Sequence, residues 1–222
     1  MPELTNAEII VKTAAFVRDK LEGEGSGHDW WHIQRVWNMA KELAHQIDEP
    51  IQLFVIELAA LLHDIADHKF HNGDITVGPR VASEWLRTLD VDENIISHIS
   101  DIIMDLSFKG ADVKTPMRTI EGKVVQDADR LDAIGAIGIA RAFAYGGHKS
   151  RELYNPEVQP TMHSNFEDYK KDTGHTINHF YEKLFLLKDR MNTYPAKKIA
   201  EERHKFMELY VSRFLEEWDG KK

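Results

Sequence analysis

The chain contains no cysteine, and this absence limits its chemistry. Disulfides, thiolate metal sites and cysteine nucleophiles are all excluded, so any bound metal must rely on nitrogen and oxygen ligands. Basic residues are also in deficit, since 28 Lys and Arg stand against 37 Asp and Glu and give a formal net charge of −9. Such a chain repels nucleic-acid phosphates, so no nucleic acid polymer is expected as a partner.

Long apolar runs are missing as well. No stretch offers the roughly 20 apolar residues that a membrane-spanning helix needs. The N-terminal segment MPELTNAEIIVKTAAF has early acidic residues and lacks the basic start and apolar centre of a signal peptide. We therefore expect a cytoplasmic protein with no membrane partner. A length of 222 residues with 42% hydrophobic content is compatible with one domain around a sizeable core.

Apolar residues recur at helical spacing and strand signals are scarce, which predicts an all-α, multi-helix fold. Thr5 and Glu8 form a capping-box pattern, and Asp29 is placed to cap the second helix. Gly135 and Gly138 would allow neighbouring helices to approach closely. After the second helix, further helices are predicted at about 51–65, 80–89, 93–105, 124–145, 166–188 and 196–218. Loops are predicted at 67–79, 109–116 and 146–165.

His63 and Asp64 are adjacent polar residues at the end of an otherwise apolar helix. Burying an unpaired carboxylate there is costly unless an ion or hydrogen bonds compensate it. The structural alternative is that Asp64 caps a neighbouring helix and His63 bonds a backbone carbonyl. Upstream lies His32, and downstream the segment DADRLD supplies three carboxylates. Two neutral imidazoles and two carboxylates would balance a divalent cation and leave positions for water and a phosphate oxygen.

These residues resemble the ordered pattern H, HD, D of the HD-domain metal-dependent phosphohydrolases. The segments HDWWHIQRV, LLHDIADHKF and DADRLDAIGAIGIAR are similar to those of its small single-domain bacterial members. The resemblance extends from about residue 26 to the last helix. It implies one HD-type domain over residues 1–222, with an HD core at about 26–145, C-terminal helices at about 165–219 and a metal site in the core.

The resemblance also implies the ligands of one divalent ion: His32, His63, Asp64 and an aspartate of the DADRLD run. Family members commonly place the last ligand in an Ala-Asp step followed by Leu, which corresponds to Asp129. The competing candidates are Asp127 and Asp132. Mn, Mg, Ni, Fe and Zn are not distinguished by this ligand set. This hypothesis requires the His32 imidazole to lie next to His63 and Asp64.

In related hydrolases an acidic residue three positions after the HD aspartate helps to activate the attacking water, and Asp67 holds that position here. A carboxylate one turn beyond the ligands can reach such a water, whereas the alternative is a solvated Asp at a helix end. A second ion would draw on His68, His71 or His98, but the additional histidine pattern of dinuclear relatives is not clearly reproduced, so one ion is expected.

An acidic protein that binds phosphate must concentrate cations locally. The candidates for substrate binding are Arg35, Lys69, Arg130 and His148, followed by Lys109, Arg141 and Lys149. Each of these residue types is more often found on the surface or in an ion pair.

The predicted function is hydrolysis of a nucleotide or a related small phosphate ester by metal-activated water, with release of phosphate or diphosphate. The substrate class follows from the resemblance alone. Two alternatives stay open: a di-iron HD-type oxygenase and a non-catalytic nucleotide-binding HD module. A homodimer is compatible with a helical domain, although no sequence feature specifies one.

Overall fold

The computed structural model describes residues 4–23, 29–66, 74–106, 115–162 and 174–222. In these residues the regular secondary structure is helical and no strand occurs, so the predicted all-α class is confirmed. The α-helices are α1 (Asn6–Lys20), α2 (Trp30–Ala44), α3 (Leu53–Leu62), α4 (Val77–Thr88), α5 (Glu93–Asp105), α6 (Ile120–Asp132), α7 (Gly135–His148), α8 (Thr176–Glu182) and α9 (Tyr194–Trp218). A 3-10 helix, Leu184–Arg190, separates the last two. No helix in the described part of the chain has the length and apolar character that a membrane crossing requires.

The chain forms two compact units. The first comprises Met1–Ser107 and Thr115–Ala128, and the second comprises Phe108–Lys114 and Asp129–Lys222. Their boundary falls within α6, which is one continuous helix. The single HD-type domain over residues 1–222, with its core at about 26–145 and C-terminal helices at about 165–219, stays a prediction.

Helix α3 is the centre of the first unit, where it contacts α1, α2 and α5. A helix that is apolar on nearly all sides must be enclosed by others. Its buried residues are Val55, Ile56, Leu58, Ala59, Ala60, Leu61 and Leu62. The C-cap of this helix is His63. The buried position of α3 therefore places His63 and the following Asp64 at the edge of the core.

Side chains cap the starts of α1 and α2. The capping box of Thr5 and Glu8 is present, and the Asp29 carboxylate accepts the backbone N–H of His32 at 2.9 Å. Helix α4 starts at Val77 rather than at the predicted residue 80, so Pro79 lies in its first turn. Proline is tolerated there because the N–H groups of a first turn have no intrahelical partner.

The second unit is organised around contacts of α9 with α7 and the 3-10 helix, and of α8 with α7 and the 3-10 helix. Phe180 on α8 is fully buried. Its ring lies within 6.2 Å of the rings of Phe143, Phe185 and Tyr210, measured between centroids. Aromatic packing therefore supplies much of this core.

The single helix predicted over 124–145 is wrong, because α6 and α7 are separate. Gly135 begins α7 with φ +76°, a left-handed conformation that favours glycine. A Cβ at Gly138 would lie 2.2 Å from the carbonyl oxygen of Ala133, so the two glycines permit a tight connection. The close approach expected of them is thus to the preceding turn and to one side chain of α9, which is described below.

The helix predicted over 166–188 is also different in its described part. Helix α8 covers the seven residues Thr176–Glu182. It starts at Thr176 because the ring Nδ1 of His175 accepts the N–H of Asn178 and caps this end. Lys183, with φ −141° and ψ −58°, ends it before the 3-10 helix. The last helix starts at Tyr194, two residues earlier than predicted, with Thr193 as its cap.

Candidate metal centre

Two histidine rings meet in the first unit. His32 lies in the first turn of α2 and is 0% exposed, and His63 directly follows α3 and is 7% exposed. Their Nε2 atoms are 3.3 Å apart and the rings meet edge to face. The Asp29 cap fixes the turn of α2 from which the His32 ring projects.

A backbone carbonyl orients the ring of His63. Its Nδ1 lies 2.8 Å from the oxygen of Ala60, and a carbonyl oxygen can only accept a hydrogen bond. Nδ1 therefore donates, and in the neutral ring Nε2 offers its lone pair towards His32. This is the arrangement by which metal-binding histidines are usually oriented. The backbone bond named as the structural alternative thus occupies Nδ1, while Nε2 faces His32 and Asp64.

Two carboxylates complete the group. Oδ2 of Asp64 lies 3.3 Å from Nε2 of His32 and 3.5 Å from Nε2 of His63. On α6, Asp129 offers a carboxylate oxygen that lies within 4.8 Å of ligand nitrogens of both histidines. We call these four residues the His-Asp cluster. Their role as ligands stays a proposal.

A divalent cation could be held by His32, His63 and Asp129, because one ligand atom from each lies within 4.8 Å of the others. Two donor atoms that share one ion at about 2.1 Å are themselves about 3.0 to 3.4 Å apart. The contacts of 3.3 and 3.5 Å between Asp64 and the two imidazoles lie close to that range. Imidazole nitrogen and carboxylate oxygen without sulfur are ligands for ions from Mg²⁺ to Zn²⁺, so the donor chemistry does not select one metal.

The other two carboxylates of the DADRLD run lie differently. Asp127 is 0% exposed. Oδ2 of Asp132 accepts a hydrogen bond of 2.8 Å from Nη1 of Arg141. Asp129 is the carboxylate of this run that falls within the 4.8 Å group. The geometry therefore favours Asp129 over its two competitors as the fourth ligand.

The predicted substrate-binding residues are dispersed. Arg35 is half-buried on α2, and His148 is the exposed last residue of α7. Arg130 is buried and its Nη1 donates to the carbonyl of Arg190, which gives it a structural contact in addition to any role with substrate. Lys69 lies outside the described residues, as does Lys109.

The predicted base and the second-ion histidines are described only in part. Asp67, His68 and His71 lie outside the described residues. Nε2 of His98 is 2.9 Å from Oγ1 of Thr119 and 3.8 Å from a carboxylate oxygen of Glu121. His98 therefore has polar partners of its own near the start of α6.

Sequence reasoning missed the contacts that fix the end of α6. Besides the pairs of Arg130 and Asp132, Nη1 of Arg203 donates to the carbonyl of Leu131. Burial lowers the pKa of the Arg203 guanidinium, and the negative charge of Asp132 partly offsets this effect. These partners lie as many as 72 positions apart in the sequence, so local sequence patterns do not predict the contacts.

The chain is similar to known proteins over nearly its whole length. A family model described as "HD domain" matches residues 30–134. YpgQ of Bacillus subtilis is 38% identical over 222 residues, which is 99% of this chain and 97% of that protein. A crystal structure of YpgQ in complex with ADP has a TM-score of 0.75 at 36% identity and 96% coverage of both chains.

Two further crystal structures are similar over nearly the whole length. An HD-superfamily hydrolase from Bacillus thuringiensis is 47% identical, with a TM-score of 0.74 and coverage of 97% of this chain and 99% of that one. A Lactobacillus plantarum protein is 38% identical, with a TM-score of 0.83 and coverage of 98% and 99%. The likeness therefore includes both compact units.

Proposed function

This chain belongs to the HD-domain family, and from that premise we propose that it is a metal-dependent phosphohydrolase acting on a nucleotide or a related small phosphate ester. The main support is that ligand atoms of His32, His63 and Asp129 lie within 4.8 Å of one another. The Asp64 carboxylate also contacts both imidazoles. The ADP complex of YpgQ supports a nucleotide as the class of substrate.

The His-Asp cluster would hold one divalent ion, with Mn, Mg, Ni, Fe and Zn all compatible with its ligands. A bound ion would polarise a phosphoryl oxygen and lower the pKa of water for attack on phosphorus. The carbonyl of Ala60 keeps His63 in the tautomer whose Nε2 can bind a cation. The carboxylates of Asp64 and Asp129 supply the two negative charges that neutralise a divalent ion.

Asp67 is proposed to take or steer the proton of the attacking water. It follows Asp64 by three residues. Among the cationic candidates, Arg35 follows His32 by three residues on α2, and residues at this spacing are neighbours on a helix surface. We propose that Arg35 binds phosphate oxygens and offsets the charge that develops on them. Lys69, Arg130 and His148 are retained as weaker candidates.

The cellular setting forms a separate part of the proposal. A cytoplasmic location, the absence of nucleic acid polymers and membranes as partners, and a homodimer are inferences from composition and fold class. They do not affect the chemistry proposed for the His-Asp cluster.

Removal of the metal is expected to abolish activity. Protein stripped of metal with a chelator should not hydrolyse nucleoside mono-, di- or triphosphates. Addition of Mn²⁺ or Mg²⁺ should restore turnover, because a bound ion would lower the pKa of the attacking water. Products should be resolved so that phosphate and diphosphate release are distinguished. As a matched control, His45→Ala alters an exposed histidine at the other end of α2 and should leave turnover unchanged.

Three results would contradict this proposal. Turnover by the double variant His63→Ala, Asp64→Ala in the presence of chelator would remove the metal mechanism. Oxygen consumption with two irons per chain would indicate the oxygenase alternative. Nucleotide binding without hydrolysis across all the metals would indicate a non-catalytic module.

Arg35→Met is expected to raise KM about tenfold, which corresponds to a loss of about 1.4 kcal/mol of substrate binding. Affinity for Mn²⁺ should stay within about twofold, because Arg35 carries no ligand atom. Steady-state kinetics and calorimetry would test this, with Arg80→Met on the exposed side of α4 as the control. An unchanged KM would exclude Arg35 from phosphate binding.

A further inference from the structure

The three residues that follow Asp129 are each tied to a different element of the second unit. Arg130 donates to the carbonyl of Arg190 at the end of the 3-10 helix. Leu131 accepts through its carbonyl from Arg203 of α9. Asp132 accepts from Arg141 of α7. The last turn of α6 is therefore held at three consecutive positions.

The contact of Arg203 acts on the backbone itself. The carbonyl of Leu131 accepts from the N–H of Ile134 at 3.2 Å and also from the Arg203 guanidinium. Carbonyls of a last helical turn lack partners within the helix, and the negative end of the helix dipole favours a cation there. Arg203 is half-buried, so water screens the interaction less than it would at an exposed position.

The connection between α6 and α7 makes room for this arginine. A Cβ added to Gly135 would lie 2.9 Å from Cγ and 3.1 Å from Cβ of Arg203. Gly135 also has φ +76°, so both its conformation and its lack of a side chain suit the approach. The arginine stem thus packs directly against the chain that leaves α6.

We propose that Arg203 is a positioning residue for the metal centre, which holds the Asp129 carboxylate in place at His32 and His63 by fixing the final turn of α6. The inference rests on the proposed function, because it requires Asp129 to be a metal ligand. Ligand distances in a metal site tolerate changes of only about 0.2 Å, so a small rotation or fraying of this turn weakens binding. In this role Arg203 acts through the backbone carbonyl of Leu131.

The test measures Mn²⁺ binding by calorimetry on the full chain. Arg203→Met keeps an unbranched apolar side chain and removes the donor, and Mn²⁺ affinity should fall about tenfold or more, as for other groups that support metal ligands. Arg203→Lys keeps a cation but lacks the planar guanidinium, so its Mn²⁺ affinity should fall about threefold, between the unaltered chain and the Met variant. Arg213→Met is the matched control on α9, since Arg213 forms ion pairs with Glu216 and Glu217 on the same helix, and this variant should bind Mn²⁺ normally.

A merely structural role predicts a different result. Arg203→Met would then unfold at lower temperature while its Mn²⁺ affinity stayed within about twofold, and this outcome would overturn the proposal. If the Met variant does not fold, the Lys variant decides, because equal Mn²⁺ affinity together with lower thermal stability also overturns it. In steady-state kinetics, Arg203→Met should need a higher Mn²⁺ concentration for half-maximal turnover. Its kcat should recover at saturating Mn²⁺.

Failure of this inference is distinguishable from failure of the proposed function. If the unaltered chain binds Mn²⁺ and Asp129→Asn abolishes binding, but Arg203→Met does not weaken it, only the positioning role is lost. If the unaltered chain binds none of the divalent ions tested, the metal centre and the positioning role are both overturned.

Discussion

Replacing Asp129 with asparagine is expected to lower kcat/KM by at least about 10³-fold, which corresponds to about 4 kcal/mol of transition-state stabilisation. The amide keeps the shape of the carboxylate but not its charge, so the two imidazoles and Asp64 would face a divalent ion with one negative charge fewer. Mn²⁺ affinity should fall more than about 100-fold, which calorimetry would measure beside the kinetics. The circular dichroism spectrum should be unchanged.

Asp132→Asn is the matched variant on the same helix, and its expected result is different. Its carboxylate pairs with Arg141 and is 5% exposed, so the change should reduce the free energy of unfolding by about 1–3 kcal/mol. Mn²⁺ affinity should change less than about tenfold, because the effect on the cluster is indirect. The opposite ranking of the two variants would assign the ligand to Asp132.

Local signals were sufficient for several helices. Helix α5 has the predicted bounds of 93–105, and Asp92 caps it by accepting the N–H of Asn94. The capping roles of Thr5, Glu8 and Asp29 are confirmed. These features depend on residues within three or four positions of one another, which is the range over which capping and helical periodicity operate.

The sequence singled out the His-Asp pair because polar residues end an apolar helix. The choice among the three carboxylates of the DADRLD run could not be made from composition, since each lies on a different side of α6. The choice depends on how α6 is placed, and the contacts at its end involve residues 9 to 72 positions further along the chain. Asp67, three positions beyond Asp64, stays a prediction.

Two errors share a physical cause. The break before Gly135 coincides with its left-handed conformation and with the close approach of Arg203, which is 203 − 135 = 68 positions away. The start of α8 depends on the ring of His175, and histidine is not among the preferred N-cap residues. Both boundaries are thus imposed by tertiary contacts or unusual caps, whereas the alanines and isoleucines around Gly135 would by themselves continue a helix.

Gly138→Ala is expected to destabilise the chain by about 3 kcal/mol, while Gly147→Ala on the same helix should be neutral or stabilising by about 0.5 kcal/mol. At Gly138 the new Cβ would lie 2.2 Å from the oxygen and 2.5 Å from the carbon of the Ala133 carbonyl, which are backbone atoms that cannot move without opening the tight connection to α6. At Gly147 nothing lies within 4 Å of the added Cβ, and alanine loses less backbone entropy in a helix. Urea denaturation of the two variants would measure the difference. Equal midpoints would show that the connection between α6 and α7 is not held as tightly as its geometry indicates, and the rigid placement of Asp129 would lose that support.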